Sequence, residues 1–214
     1  MRSSDQVEKE WDLSTVYTQQ LQILIQHIKI FSTIKIATLG PKGTSSEAAA
    51  QYLISQLSDK WREYTLFPTY EEAFEDLVSG HSNLLIVANA YQGIDKFYMS
   101  TEVRFLLSFV FQTPLYGVAA NSRNLGPDNL PLKIATHHAP SSLIPWFLPD
   151  ITNKYEIIHT QSTSEAAFKV HKGEADLCVT TANACRVYDL EFISRTRPIV
   201  MLWSVFVPGS PNLS

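Results

Sequence analysis

The sequence predicts an α/β fold of two similar lobes, with mostly parallel sheets and a cleft between them. Two observations carry that reading. Short apolar strands alternate with capped helices at the spacing of β–α–β units. One such stretch also recurs: Glu72-Ala73-Phe74 … Gly80 … Val87-Ala88-Asn89-Ala90 parallels Ala166-Ala167-Phe168 … Gly173 … Thr181-Ala182-Asn183-Ala184, with one residue of slippage. A single duplication is too few for a solenoid and fits two facing α/β lobes. Strands joined by helical crossovers are covered on both faces. Two lobes joined by two crossings leave a cleft, a usual place for a small ligand.

The elements follow in order. Residues 1–32 read as an N-terminal extension, in which Leu21, Ile23, Ile25, Ile28 and Ile30 suit either a helix face or an edge strand. Ile34–Leu39 alternates and is rich in β-formers, so it is a strand, and Gly40-Pro41-Lys42-Gly43 breaks it. A helix runs from Thr44 to Leu57. Thr44-x-x-Glu47 is a capping box, in which the hydroxyl and the carboxylate each satisfy a free amide. The device recurs at Thr69-x-x-Glu72, opening a helix that Gly80 ends, and at Ser162-x-x-Glu165, opening one that Gly173 ends. Leu84–Ala88 and Leu177–Thr180 are buried strands. The first crossing falls near Gln112–Gly117 and the return near Pro198–Phe206. Lobe 1 is then 33–112 plus 198–214, and lobe 2 is 113–197.

Bulk properties exclude several function classes. The hydrophobic share of 45% in 214 residues is enough for one large core or two small ones. The net charge of −4, without a basic block, argues against nucleic acid. No apolar run is long enough to span a membrane. Met1–Trp11 is polar and lacks the apolar core of an export signal, so the expected location is the cytoplasm. Cys178 and Cys185 have no metal-ligand spacing and read as two buried thiols rather than a disulfide. The sequence holds no Cys/His metal set, no cofactor motif and no Ser-His-Asp order. Leu21–Phe31 and Phe105–Phe111 suit either core or the interface of a homodimer.

Four clusters carry chemistry. In Leu39–Glu47 two glycines admit close approach, and the amides of Gly43, Thr44 and Ser45 sit at a helix N-terminus, where the dipole favours an anion. The hydroxyls of Thr44 and Ser45 add donors. The Gly-Lys-Ser/Thr ending of a phosphate loop is absent. Asn89 and Tyr91 follow a buried strand at its C-terminal end, where open α/β sheets bind ligands. His137, in Thr136-His137-His138-Ala139-Pro140, also follows a strand and suits carboxylate binding or proton transfer. Ser204, in Trp203-Ser204-Val205-Phe206, faces the cleft if its strand completes lobe 1. Each cluster alone suits an ordinary turn, loop or core strand equally well.

Together and in order, these residues resemble the catalytic domain of the prephenate dehydratases. The match runs through Gly40-Pro41-x-Gly43-Thr44-x-Ser46-Glu47, Asn89…Gly93, Thr136-His137 and Thr163-Ser164-x-Ala166-Ala167. The resemblance implies a two-lobed fold of the type II periplasmic-binding-protein kind, with prephenate in the interlobe cleft. The departures matter as much. The family's Thr-Arg-Phe reads Ser204-Val205-Phe206, so the arginine is lost. Its Glu-Asn-Ser reads Ala88-Asn89-Ala90, so the acid is lost. The sequence ends at Ser214, so the regulatory ACT domain that follows in many dehydratases is not expected here. Thr38-Leu39-Gly40-Pro41-x-Gly43-Thr44-Ser45-Ser46-Glu47, with Ala90-Tyr91-x-Gly93-Ile94 … Phe97-Tyr98-Met99 and Trp203-Ser204-x-Phe206, is similar to a narrower group. This is the non-aromatising prephenate decarboxylases of bacilysin and aeruginosin pathways.

That resemblance implies a carboxy-lyase for natural-product biosynthesis, with no cofactor and no metal. Gly43, Thr44, Ser45 and nearby amides are then expected to hold one substrate carboxylate, with Ser164 clamping it from the opposite lobe. Asn89 and Tyr91 orient the ring, and His137, Ser204 or a water relays the proton. Two other functions fit the residues: a dehydratase with Ser204 replacing the threonine, and a non-catalytic protein that binds a small carboxylate.

Overall fold

The computed structural model describes residues 13–57, 61–121, 131–151 and 155–209. Met1–Trp11, on which the expectation about export rests, and the end of the 198–214 segment lie outside the described residues. Helix α1 (Leu13–Lys29) leads into β1 (Thr33–Leu39), α2 (Ser45–Gln56), β2 (Trp61–Phe67), α3 (Tyr70–Val78), β3 (Leu84–Ala88), α4 (Asp95–Met99) and β4 (Val103–Gln112). The chain then crosses to β5 (Tyr116–Ala120), β6 (Leu132–His137), α5 (His138–Ser141), α6 (Ile144–Phe147), β7 (Tyr155–Thr160), α7 (Thr163–His171), β8 (Leu177–Thr181), α8 (Ala182–Tyr188) and β9 (Glu191–Phe192). It returns as β10 (Val200–Pro208).

These strands form two five-stranded sheets, ordered β2-β1-β3-β10-β4 and β7-β6-β8-β5-β9. The orders correspond strand for strand, and the repeated stretch of sequence is α3–β3 in one and α7–β8 in the other. Parallel pairing joins β1 to β2 and β3, and β6 to β7 and β8. The remaining pairings are antiparallel: β10 with β3 and β4, and β5 with β8 and β9. Each sheet is therefore mixed, where the alternation of strands and helices predicts mostly parallel pairing. The β–α–β repeat supplies the parallel half. Strands entering along the two crossings run the opposite way and supply the rest.

The crossings lie side by side. Thr113 donates to the Ile199 carbonyl at 2.9 Å, and Tyr116 and Arg197 exchange backbone hydrogen bonds at 2.7 and 2.9 Å. One apolar cluster fills the first sheet's helical faces, from Ile34 and Ile36 to Leu77 and Phe206. The second sheet is packed from both sides: alanines of α7 and α8 on one face, Ile144 and Phe147 of α6 on the other. Cys178 and Cys185 are buried free thiols.

The segment whose pattern suits helix or strand is helical. Leu24 and Ile28 are buried, one turn apart on a single face. Leu21, Ile23, Ile25 and Ile30 stay exposed, so only Ile28 of the five expected apolar residues reaches the core. Tyr17 hydroxyl donates to the Ser108 carbonyl at 2.6 Å, satisfying an acceptor on the edge strand β4.

Candidate active site

A cavity of about 340 Å³ opens between the sheets. Its walls come from the ends of strands and the starts of helices in both halves. The three capping boxes converge here. Thr44, Thr69 and Ser162 are the N-caps of α2, α3 and α7, and each accepts from the amide three residues on, at 3.0–3.1 Å. All three line the cavity. Each contributes the positive end of a helix dipole. That matters because the described lining contains no lysine and no arginine. An anion here meets amides and hydroxyls instead of cations.

The α2 turn is also the joint between the sheets. Gly43 carbonyl accepts from Thr181 hydroxyl at 2.7 Å, and Gly43 amide donates to Glu47 Oε2 at 2.7 Å. Ser164 hydroxyl donates to the Lys42 carbonyl, and Ser45 hydroxyl pairs with Tyr116 hydroxyl at 2.7 Å. Gly43 has φ +89°, and a Cβ on it would stand 2.8 Å from Ala184 Cα. Of the expected carboxylate grip, Thr44 and Ser45 line the cavity, and Gly43 and Ser164 do not. Ser164 does bridge the two halves, but its hydroxyl is spent on the protein's own backbone.

Strand alternation separates the remaining expectations. On β10, Met201 and Trp203 line the cavity with Ile199 before them. Ser204 points the other way, because successive side chains alternate between faces. Fully buried, it bonds Tyr98 hydroxyl at 2.6 Å, Ser108 hydroxyl at 3.0 Å and Asn89 Oδ1 at 2.9 Å. The expectation that Ser204 faces the cleft is thus corrected. Asn89 is drawn into the same network and does not line the cavity, whereas its neighbours Ala88, Ala90 and Tyr91 do.

Tyr91 hydroxyl donates to Glu71 Oε1 at 2.7 Å, and Lys96 reaches the same oxygen at 3.1 Å. Burial favours the protonated Glu71, but these two hydrogen bonds, its own backbone amide and the Lys96 charge together outweigh it and hold the carboxyl below its ordinary range. Burial and the facing Glu71 carboxylate push the Tyr91 phenol up. Tyr70, buried against Ser46 hydroxyl at 2.9 Å and the Ala88 amide at 3.1 Å, is pushed up to about 12 by burial. Tyr116 is raised for the same reason. The phenols at the cavity are therefore donors that keep their protons.

His137 lines the cavity as the N-cap of α5. Its Nδ1 accepts from the Ala139 amide at 3.4 Å, which leaves the ring proton on Nε2. Burial, then His138 and His159, lowers its pKa to about 4. Between the ordinary value of 6.5 and about 4, the unfolded chain takes up a proton that the folded chain refuses. Stability should therefore fall as pH drops through that window and be flat above it. Urea midpoints measured from pH 7 to 4 check this, with His137→Gln expected to flatten the slope.

Sequence reasoning missed Glu71, Tyr70 and Tyr116, and quoted Trp203 within a motif without giving it a role. Tyr70 and Glu71 open a helix directly after β2, so the rule that ligands sit beyond strand C-termini reaches them. Tyr116 lies at the first crossing and Trp203 within the returning strand β10, where no local signal says which side chain meets the cavity. Among the described residues no group of three His, Cys, Asp or Glu could hold a metal, and no helix is long and apolar enough to cross a membrane.

No protein-family model matches the chain. Curated relatives do. A prephenate decarboxylase of Planktothrix agardhii is 38% identical over 179 residues, covering 81% of this chain and 88% of that protein. One from Bacillus amyloliquefaciens is 33% identical over 200 residues, covering 91% and 96%. Among solved structures, a prephenate dehydratase from Arthrobacter aurescens in complex with L-Phe shares the fold at a TM-score of 0.64 and 15% identity, covering 85% of this chain and 63% of that one. The second Venus-flytrap domain of Bordetella pertussis BvgS, a periplasmic domain, aligns at 0.50 and 16% identity over 89% of this chain and 85% of its own. Identity of this order, held over nearly the whole length of two curated relatives, shows that the chain belongs to the prephenate decarboxylase family.

Proposed function

We propose that this protein decarboxylates prephenate without aromatising the ring, yielding a dihydro-4-hydroxyphenylpyruvate for natural-product biosynthesis. The observation that carries the reading is Ala88 at the cavity wall, where the resemblance to the dehydratases puts a glutamate. Expelling the C4 hydroxyl needs a proton donor, and aromatisation follows its departure. Without that acid the ring carboxylate leaves alone: the bond to CO2 breaks, its electron pair spreads over the ring, and a carbon beside C4 takes up one proton. The C4–O bond stays intact.

The cavity supports each step. The apolar wall of Ile199, Met201 and Trp203 disfavours a charged carboxylate more than neutral CO2. The amides of the α2 N-terminus at Thr44 and Ser45, with the Ser45 hydroxyl, hold the pyruvyl carboxylate, while the Thr44 hydroxyl itself donates to the Leu39 carbonyl; Tyr91 orients the ring from the Glu71 side. Asn89 acts through the turn it anchors. His137 is the relay candidate that lines the cavity. Its Nδ1 is held by the Ala139 amide, so the neutral ring's Nε2–H orients a water that gives its proton to the ring carbon, and the hydroxide left joins the departing CO2 as bicarbonate. The division into 33–112 plus 198–214 and 113–197 is part of this reading. So is a homodimer, for which Leu21, Ile25, Phe105 and Val110 offer exposed apolar surface.

Incubating pure protein with prephenate tests the function. The expected product has lost CO2 alone by mass spectrometry and keeps its non-aromatic protons by NMR. Phenylpyruvate as the main enzymatic product would reassign the protein as a dehydratase. Prephenate left unconsumed would reassign it as a carboxylate-binding protein.

A further inference from the structure

Two cations stand beside a cavity that has none in its described lining. Arg195 lays its guanidinium over the Trp146 ring, 3.9 Å from the centroid, and Arg197 lies 5.6 Å from the same centroid. Arg195 is pinned there: its Nε donates to the Trp146 carbonyl at 2.6 Å, and its Nη2 donates to the same oxygen. Arg197 gives only its Nε, to the Pro198 carbonyl at 3.4 Å. Neither guanidinium pairs with a carboxylate among the described residues. Like charges drawn to one ring repel each other, and an anion beside them is attracted by both. Three relations place this cluster next to the cavity. Arg197 pairs with Tyr116 across the crossings, so the two side chains leave the same face, and Tyr116 lines the cavity. Ile199, two residues on in the same extended segment, lines it too. Leu143 also lines it, and Trp146 follows one helical turn later. Both arginines and Trp146 are exposed.

We propose that Arg195 and Arg197, gathered on Trp146, form an outer anion site at the cavity's entrance that captures the doubly charged substrate before it moves inward. The inference rests on the decarboxylase reading above and adds the step that precedes the chemistry. Prephenate is a dicarboxylate, and a protein of net charge −4 repels it at long range. A local pair of cations reverses that repulsion where the substrate arrives. Standing outside the cavity suits the reaction. A guanidinium within it would stabilise the scissile carboxylate in the ground state and oppose loss of CO2. From outside, the pair attracts the dianion and releases it to amides, hydroxyls and an apolar wall. Trp146 fixes where Arg195 stands, and Arg197 keeps its terminal nitrogens for the anion.

Removing charge at low and high salt tests the site. Arg197→Gln takes away one cation and leaves the backbone pairing with Tyr116 in place. At low ionic strength it should lower kcat/KM for prephenate about fivefold through KM alone, and weaken phenylpyruvate as a competitive inhibitor about twofold. These are the effects of one charge pair about 8 Å apart in water, counted twice for the dicarboxylate and once for the monocarboxylate. Both losses should vanish near 1 M salt, where screening acts over about 3 Å. Arg197→Lys, which keeps the charge, should match the natural protein, and Arg195→Gln should add to the loss. Natural kinetics in Arg197→Gln, equal effects on the two anions, a loss that persists in salt, or a lysine no better than glutamine overturns the proposal. Should the variants fail to fold, the natural protein decides. Its kcat/KM must fall as salt rises, because a net charge of −4 acting alone would make it climb, and a flat or rising profile overturns the site. A protein that leaves prephenate untouched rejects the function itself. One that consumes prephenate without these charge effects rejects only the outer site.

Discussion

Gly43→Ala is expected to destabilise the protein by about 2–5 kcal/mol, the sum of a backbone forced into an L-residue's disfavoured region and an overpacked contact. At φ +89° only glycine is unstrained, and the added methyl would meet Ala184 Cα at 2.8 Å and its amide nitrogen at 3.0 Å. Neither neighbour is a flexible side chain that can swing away, because both belong to the α8 backbone. Gly43 is also tied on both sides, through Glu47 and Thr181, so relief of the clash must break one of those bonds. Moving the turn displaces Thr44 and Ser45 from the cavity and loosens the joint between the sheets. Activity should therefore fall further than stability alone explains, by about 100-fold in kcat/KM, as misplacement of binding groups commonly costs. Urea unfolding together with steady-state decarboxylation checks both parts. A variant within 1 kcal/mol of the natural protein and fully active would mean that the joint yields without consequence.

The second large effect concerns the product. Ala88→Glu is expected to raise the proportion of phenylpyruvate by about 100-fold, the lower end of what a positioned general acid contributes. Ala88 is only 9% exposed and lines the cavity. A carboxyl placed there is desolvated, which favours its protonated form and makes it a competent acid near neutral pH. The proton would be given to the C4 oxygen, hydroxide would leave as water, and loss of CO2 would then aromatise the ring. Product ratios by NMR, corrected for spontaneous aromatisation, measure this. Circular dichroism and thermal unfolding report separately whether the variant folds. A folded variant that still gives only the dihydro product would show that the acid's absence at this position does not direct the outcome.

Much of the fold is legible locally. Capping boxes at Thr44, Thr69 and Ser162 mark helix starts because the hydroxyl and the amide it accepts from lie within one turn. β1, β3 and β8 read directly as runs of apolar and β-branched residues. The duplication survives because two copies of one unit keep similar helix–strand junctions. Mixed pairing was not legible, since the direction in which a strand joins a sheet depends on the chain's path through the crossings. The α1 segment was ambiguous for a related reason. Alternating isoleucines suit a strand, and only burial of Leu24 and Ile28 against the first sheet selects the helix.

By itself the sequence determined the elements, the anion-friendly helix starts and, through resemblance, the chemistry to look for. Those properties are local, set by neighbours within a turn or two. Tertiary structure decided which of those residues meet. It brought three helix N-termini to one cavity that has no cation among its described lining residues. It spent Ser164 and Gly43 on joining the sheets, turned Ser204 and Asn89 away, and placed Trp203 on the wall. The physical reason is strand alternation and register: a one-residue step on β10 exchanges Ser204 for Trp203 at the cavity, and only pairing with β3 and β4 fixes that step.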